Sequence, residues 1–329
     1  MSVKASGPPV VGIDLGGTKI LTAVVSADNR LLGRAKMPTP AQEGAAAIVR
    51  TIVDSVDSAL ADARLARSDL AAAGVGSPGP LDVETGTILF SANLNVRGLP
   101  LGPELSQTLG CPVLVQNDVR VGGYGEFRIG AGVGYRSLIA AFVGTGIGGC
   151  VVQDGRVVTG ATGNAGEIGH IIVKAGGPVC GCGARGCMEA LASRTAITRR
   201  VSKAIRKGLP TLLSDRVSRK TGRLKSGDLA DAVAAGDHVA VKEVRRAAKY
   251  LGLGLGSLIN VLGPEIVIIG GGVAGALGEP WIELVRDAAR GQALVDLSGM
   301  IPIVSAGLGD DAGVLGAALM ARERFVAVA

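Results

Sequence analysis

The densest chemistry in the chain lies between Gly166 and Glu189, which read GEIGHIIVKAGGPVCGCGARGCME. His170, Cys180, Cys182 and Cys187 form a Cys₃His set suited to tetrahedral Zn²⁺. Four protein ligands would close the coordination shell, so the expected zinc is structural and does not activate water. In an intracellular chain this spacing favours a metal over disulfides. The remaining cysteines, Cys111 and Cys150, stand alone among apolar residues and read as small buried hydrophobes. Glu167 and Glu189 flank the cluster. A carboxylate can accept a pair of hydrogen bonds from vicinal hydroxyls, whereas an isolated acid is ordinarily a solvated surface group. Asn117-Asp118 closes an apolar strand, where a carboxylate in an α/β fold faces the ligand crevice. The plainer role for such a pair is to cap the helix that follows.

Three glycine-rich turns follow apolar strands: Asp14-Leu15-Gly16-Gly17-Thr18-Lys19, Val143 to Gly149, and Gly270-Gly271-Gly272. Glycines let the backbone approach a polyphosphate and present N–H groups to it. Together the turns predict an ATP site. Gly16, Gly17, Gly144 and Gly146 would lie along the phosphates with Lys19, and the hydroxyls of Thr18 and Thr145 would add donors. Asp14 would hold Mg²⁺ through water, and Gly271 and Gly272 would border the adenosine. A dinucleotide fingerprint also fits residues 270–275. Only about 55 residues remain after it, too few for the strands such a domain still needs. The similar pattern at 144–149 leads into a strand, not a helix, and no phosphate-loop signature with Gly-Lys-Ser/Thr occurs.

The elements that must position these groups follow from the apolar pattern. Residues 9–25 read as two strands around a Gly-Gly turn, with a third strand at 31–36, a helix within 41–66 and strands at 73–77 and 112–116. Residues 138–158 repeat the strand, Gly-turn, strand unit about 130 residues on. Helices are expected over 189–206, 226–235, 237–260, 278–290 and 311–323, with a buried strand at 265–269. The expected fold class is α/β with two related lobes around a central cleft. Residues 1–118 would form an N-terminal lobe, completed by a helix in 310–329, and residues 119–309 a C-terminal lobe. Fifty-two glycines without a Gly-x-y period imply many tight turns and close backbone approaches. No apolar run is long enough for a signal h-region or a membrane span. A cytoplasmic protein with no membrane or nucleic-acid partner is therefore expected. The formal charge is +6, and the basic tract from Arg199 to Lys225 reads as a solvated surface helix and loop.

Seven motifs in order, DLGGTK (14–19), SPGP (77–80), VQND (115–118), VGTGIGG (143–149), GNAGEIGH (163–170), CGCGARGC-x-E (180–189) and IIGGG (268–272), resemble the ROK family of sugar kinases and repressors. The resemblance implies an actin/hexokinase-like (ribonuclease H-like) fold in which domain closure brings ATP-Mg and a sugar together. Carried over by motif, Asp118 would be the catalytic base. Gly79, Asn117, Glu167, His170 and Glu189 would contact the sugar, and His170 would also ligate zinc. The expected activity is phosphorylation of a hexose, glucose first, with N-acetylhexosamines and fructose as alternatives and polyphosphate as another possible donor. Repressors of the family carry a helix-turn-helix before the first glycine motif. Only 13 residues precede Asp14 here, which favours the kinase. A dimer or tetramer is the family expectation. Two positions depart from the pattern: Arg120, where many members have Asn, and Val96, where glucose-type members often carry Trp. Asn93 is expected beside the sugar.

Overall fold

β-Branched apolar runs build two five-stranded sheets of one plan. The computed structural model describes residues 7–218, 222–294 and 299–326, so the extreme N-terminus and residues 219–221 of the basic tract lie outside the described residues. One unit holds the chain up to Val133, Val158–Ala165 and the segment from Asp310, and the other holds Gly134–Val157 and Gly166–Gly309.

In the first unit, β1 (Val10–Leu15), β2 (Lys19–Val25), β3 (Leu31–Pro38) and β4 (Ala72–Ser77) are followed by a small sheet. Its strands are β5 (Leu81–Asp82), β6 (Thr87–Ser91) and β7 (Val96–Leu99), and β8 (Val113–Asn117) then returns to the main sheet. The main order is β3-β2-β1-β4-β8, antiparallel across β3-β2-β1 and parallel across β1-β4-β8. Asp14 is the only residue of β1 that is not fully buried, as expected for a strand covered on both faces. Helix α1 (Ala45–Ala63) turns Ile48, Ile52, Val56 and Ala59 inward at helical spacing. Helices α2 (Leu101–Leu109) and α3 (Asp118–Ile129) flank β8.

The second unit repeats the pattern. Strands β9 (Leu138–Val143), β10 (Ile147–Gln153) and β11 (Arg156–Val157) are antiparallel neighbours. Helices α4 (Met188–Ala192), α5 (Arg194–Arg206), α6 (Ser226–Ala234) and α7 (His238–Leu262) lead to β12 (Ile266–Gly270), and α8 (Gly271–Leu277) and α9 (Glu279–Arg290) lead to β13 (Ile303–Ser305). The order β11-β10-β9-β12-β13 reproduces the first sheet, with β12 parallel to both its neighbours. The chain ends in α10 (Ala312–Phe325), which belongs to the first unit.

Glycines set how α10 docks. A methyl group at Gly12 would lie 1.8 Å from the Val314 carbonyl oxygen, and one at Gly74 would lie 2.0 Å from that of Ala317. On the helix itself, a methyl at Gly316 would lie 1.7 Å from the Val121 carbonyl oxygen of α3. Those distances are far inside van der Waals contact, so only hydrogen fits.

Some expectations need correction. Helix α3, assigned from sequence to the second lobe, falls in the first unit because it packs on α10. The single helix expected over 189–206 is two, broken at Ser193, whose hydroxyl accepts the Ala196 N–H at 3.2 Å and caps α5. The small sheet β5–β7 and helix α2 were not anticipated. Among the described residues, no helix is long and apolar enough to cross a membrane.

Candidate functional site

In the first unit, strand β8 runs directly into α3. Asn117 is the N-cap: its side-chain oxygen accepts the N–H groups of Val119 and Arg120, each at 3.0 Å. That leaves the amide NH₂ of Asn117 as a donor for a ligand. Asp118 opens the helix half-buried, with one carboxylate oxygen accepting the Val119 N–H at 2.9 Å. Asp14, at the end of β1, lies close enough for the two carboxylates to interact. Burial, and then the charge of Asp118, push the Asp14 carboxyl up from 3.8 to about 6, with Asp310 adding to the rise and Lys19 opposing it. A pair of carboxylates with too little cation nearby suits a hydrated Mg²⁺.

The adjoining turn is closed by the Gly16 N–H on the Lys19 carbonyl at 3.0 Å and tied to β3 by Thr39, whose hydroxyl donates to the Gly16 carbonyl at 2.6 Å. Gly17 and Thr18 are exposed at its tip. The same turn packs on the backbone of Asn93, where a methyl at Gly17 would come within 3.0 Å. Gly79 occupies φ +111°, and a side chain there would meet the Phe90 carbonyl oxygen at 2.2 Å, which fixes glycine at this position of the SPGP loop.

Arg120 is only 4% exposed. Its guanidinium donates to the Gln116 side-chain oxygen at 2.8 Å and to the carbonyls of Gly163 and Ala165 at 2.6 and 2.7 Å. The residue that departs from the family pattern therefore pins the GNAG segment to the first turn of α3.

In the second unit, the ligand atoms of His170, Cys180, Cys182 and Cys187 all lie within 4.8 Å of one another. Cys182 Sγ and Cys187 Sγ are 3.7 Å apart, and Cys180 Sγ is 3.6 Å from His170 Nδ1. Tetrahedral Zn²⁺, with Zn–S about 2.3 Å and Zn–N about 2.0–2.1 Å, requires S···S and S···N separations of roughly 3.8 and 3.6 Å. A disulfide would need sulfurs about 2.05 Å apart, and the described cysteines are all free. The electrostatics agree. Burial pushes the Cys180 thiol up to about 12 and raises Cys187, while the Ala184 N–H lowers Cys182. Three thiolates can coexist here only around a cation, and a dication supplies the missing charge.

Glu189 links this cluster to the glycine turn between β9 and β10. One carboxylate oxygen lies 3.6 Å from Cys180 Sγ, and the other accepts the Ile147 N–H at 2.9 Å. A methyl at Gly146 would lie 2.2 Å from that second oxygen, so glycine is required there. Each oxygen keeps a second lone pair for a ligand hydroxyl. Glu167 stands exposed, and its carbonyl accepts the His170 N–H at 3.0 Å.

The β9–β10 turn is braced from α5. The Arg194 N–H donates to the Gly144 carbonyl at 2.9 Å, its guanidinium donates to the Thr145 hydroxyl at 2.6 Å, and the Thr195 hydroxyl donates to the Thr145 carbonyl at 2.7 Å. Burial and the nearby charge of Arg223 lower the Arg194 guanidinium below its ordinary value. A partly desolvated cation beside a glycine turn attracts phosphate. Sequence reasoning missed Arg194, whose one signal is its place just after the capping Ser193. Gly271, at φ +88°, abuts Val143: a methyl there would lie 2.6 Å from the Val143 amide nitrogen, so the turns after β9 and β12 adjoin within this unit.

Duplicated sheets, each opening on a glycine turn, define an α/β chain of the actin/hexokinase-like class. The chain belongs to the ROK family, which it matches over residues 10–324. It is 36% identical to the glucokinase of Thermotoga maritima, with 96% of this chain and 98% of the relative covered. It is 35% identical to the glucokinase of Halalkalibacterium halodurans, with 95% of each covered. Its fold matches the crystal structure of a ROK family glucokinase from Streptomyces griseus in complex with glucose and AMPPNP, with a TM-score of 0.82 and 34% identity over 96% of this chain and 99% of that one.

The raised Asp14 carboxyl makes a signed prediction. An acid raised in the folded state lowers stability as pH climbs from 3.8 through about 6, and the penalty is complete above that. It amounts to at most about 3 kcal/mol. In Mg²⁺-free buffer, Asp14→Asn should therefore raise the urea midpoint at pH 8, by roughly 1–3 kcal/mol of stability. Near pH 4 it should give no gain. A gain independent of pH would show that the Asp14 carboxyl is not raised as described.

Proposed function

We propose that this protein is an ATP-dependent glucokinase that converts glucose and ATP to glucose 6-phosphate and ADP in the cytoplasm. The observation that carries the reading is Asp118 at the mouth of α3, capped by Asn117 and electrostatically linked to Asp14. Asp118 accepts the proton of the attacking hydroxyl and orients it. An ordinary aspartate is a weak base, so its largest contribution is positioning, with proton acceptance late in the transfer. Asn117 donates its amide NH₂ to a sugar hydroxyl, and the backbone at Gly79 lies alongside. Glu167, His170 and Glu189 hold further hydroxyls.

For the nucleotide, the turns at Gly16-Gly17-Thr18-Lys19 and Gly144-Thr145-Gly146 offer N–H and hydroxyl donors to the phosphates, with Arg194 adding charge. Gly271 and Gly272 border the adenosine, and Asp14 would hold hydrated Mg²⁺, which would neutralise charge on the phosphates. His170, Cys180, Cys182 and Cys187 would hold Zn²⁺, which supplies a rigid cross-link. Through Cys187, the N-cap of α4, that cross-link would position Glu189, and through His170 it would fix the histidine ring. Closed four-ligand coordination gives the ion no part in the transfer itself.

A coupled ADP-release assay with ATP-Mg against glucose, mannose, fructose, N-acetylglucosamine and N-acetylmannosamine tests this reading. Glucose should give the highest kcat/KM. An N-acetyl sugar ranking first would contradict the substrate, and no turnover with any sugar would contradict the kinase.

Elemental analysis of the purified protein should find zinc equimolar with chain. Cys182→Ser should lower that content and bring the thermal midpoint down by roughly 5 °C or more. Full stability in zinc-free protein would remove the structural metal.

A further inference from the structure

A concentration of unbalanced charge lies on residues to which no role is assigned above. Within the second unit, α5, α7 and the segment before the cysteines line an open groove of about 850 Å³. Eight lysines and arginines line it against one carboxylate, an excess of seven, while the whole chain carries only +6. The one acid, Glu243, is spent: it pairs with Arg200, and both side chains are nearly buried, at 10% and 11% exposure. Among the described residues, none of the other seven cations has a carboxylate partner.

All seven are solvent-exposed, but they are not dispersed. Arg199, Lys203 and Lys207 recur at four-residue spacing along α5 and its C-cap, and Lys242 and Arg246 do so on α7. Lys174 closes the ring from the cysteine loop. Like charges four apart on a helix repel, and here two such rows face a shared concavity. The strain is felt by Arg200: burial, and then the charges of Arg246 and Arg199, lower its guanidinium against the pull of Glu243. A bound polyanion would relieve this repulsion.

We propose that this groove binds a small, multiply phosphorylated anion: a short inorganic phosphate chain or a polyphosphorylated metabolite. The cavity has the size of a small-molecule site. Arginine forks and lysine ammoniums both suit phosphate oxygens. The two rows converge on one concavity of about 850 Å³, which favours a compact ligand over a nucleic-acid backbone.

The test is isothermal titration of the full chain at 50 mM salt with sodium tripolyphosphate, with fructose 1,6-bisphosphate and with a single-stranded oligonucleotide. Glucose and a non-hydrolysable ATP analogue are present throughout to occupy other phosphate-binding sites. Saturable binding of tripolyphosphate or bisphosphate is expected, weakening several-fold at 200 mM salt. Whichever of the two binds tighter identifies the source. Lys203→Glu/Lys242→Glu/Arg246→Glu should weaken binding at least about tenfold, and the milder Lys203→Gln/Lys242→Gln roughly three- to tenfold. Neither variant should change basal glucose turnover. The groove result stands apart from the kinase assignment, because it is read from loss of binding in variants remote from the catalytic residues. Absence of saturable binding, equal binding by a folded variant, or preference for the oligonucleotide would overturn the proposal.

Discussion

Helix α10 lies on β1, β4 and α3 at distances that no side chain larger than hydrogen would permit, and the carboxylates of the first unit take their places from that contact. Gly12 and Gly74 admit the helix to the sheet, and Gly316 admits α3 to the helix. Gly313, in the first turn of α10, also lies against Asp14, where a methyl would sit 3.0 Å from the carboxylate carbon. Asp14 on β1 and Asp118 on α3 are thus referenced to one rigid element. Close-packed interiors transmit small displacements, so a shift of this helix would move both acids.

The second unit uses polar bracing instead. Its glycine turn is held on one side by Glu189, through the Ile147 N–H, and on the other by Arg194 and Thr195, through Thr145. Glu189 in turn reaches Cys180. The Cys/His cluster, Glu189 and the β9–β10 turn therefore form one connected set, and what disturbs the cluster should be felt at the turn. Arg120 plays the corresponding part in the first unit, where its guanidinium joins α3 to the carbonyls of the GNAG segment.

Much of this was legible in the sequence, for local reasons. The strand and turn repeat shows because alternating apolar runs and paired glycines are local signals, and the matching sheet orders bear it out. The Cys₃His set shows because metal ligands cluster in sequence as well as in space, and its four ligand atoms do converge. The small sheet β5–β7 escaped because its strands are two to five residues long, too short for any periodicity to register. Arg194 escaped because a lone arginine at a helix start looks like any surface cation, and its partner Thr145 is 49 residues away. Arg120 stood out only as an odd residue, since the carbonyls it holds lie more than 40 positions downstream. The basic tract is solvent-exposed, as its sequence implies, but its concavity does not show there, because Lys242, Glu243 and Arg246 of α7 complete it from some 40 positions downstream.

The central claim is that Asp118 handles the proton of the attacking hydroxyl. Its most direct test measures glucose turnover and glucose affinity on the same preparation of Asp118→Asn, whose amide keeps the shape and the helix start but cannot take a proton. Turnover should fall by about 10²-fold or more, with the glucose Kd within a few-fold of the unaltered protein. Turnover within threefold of the unaltered protein would contradict the account and move the proton to another group.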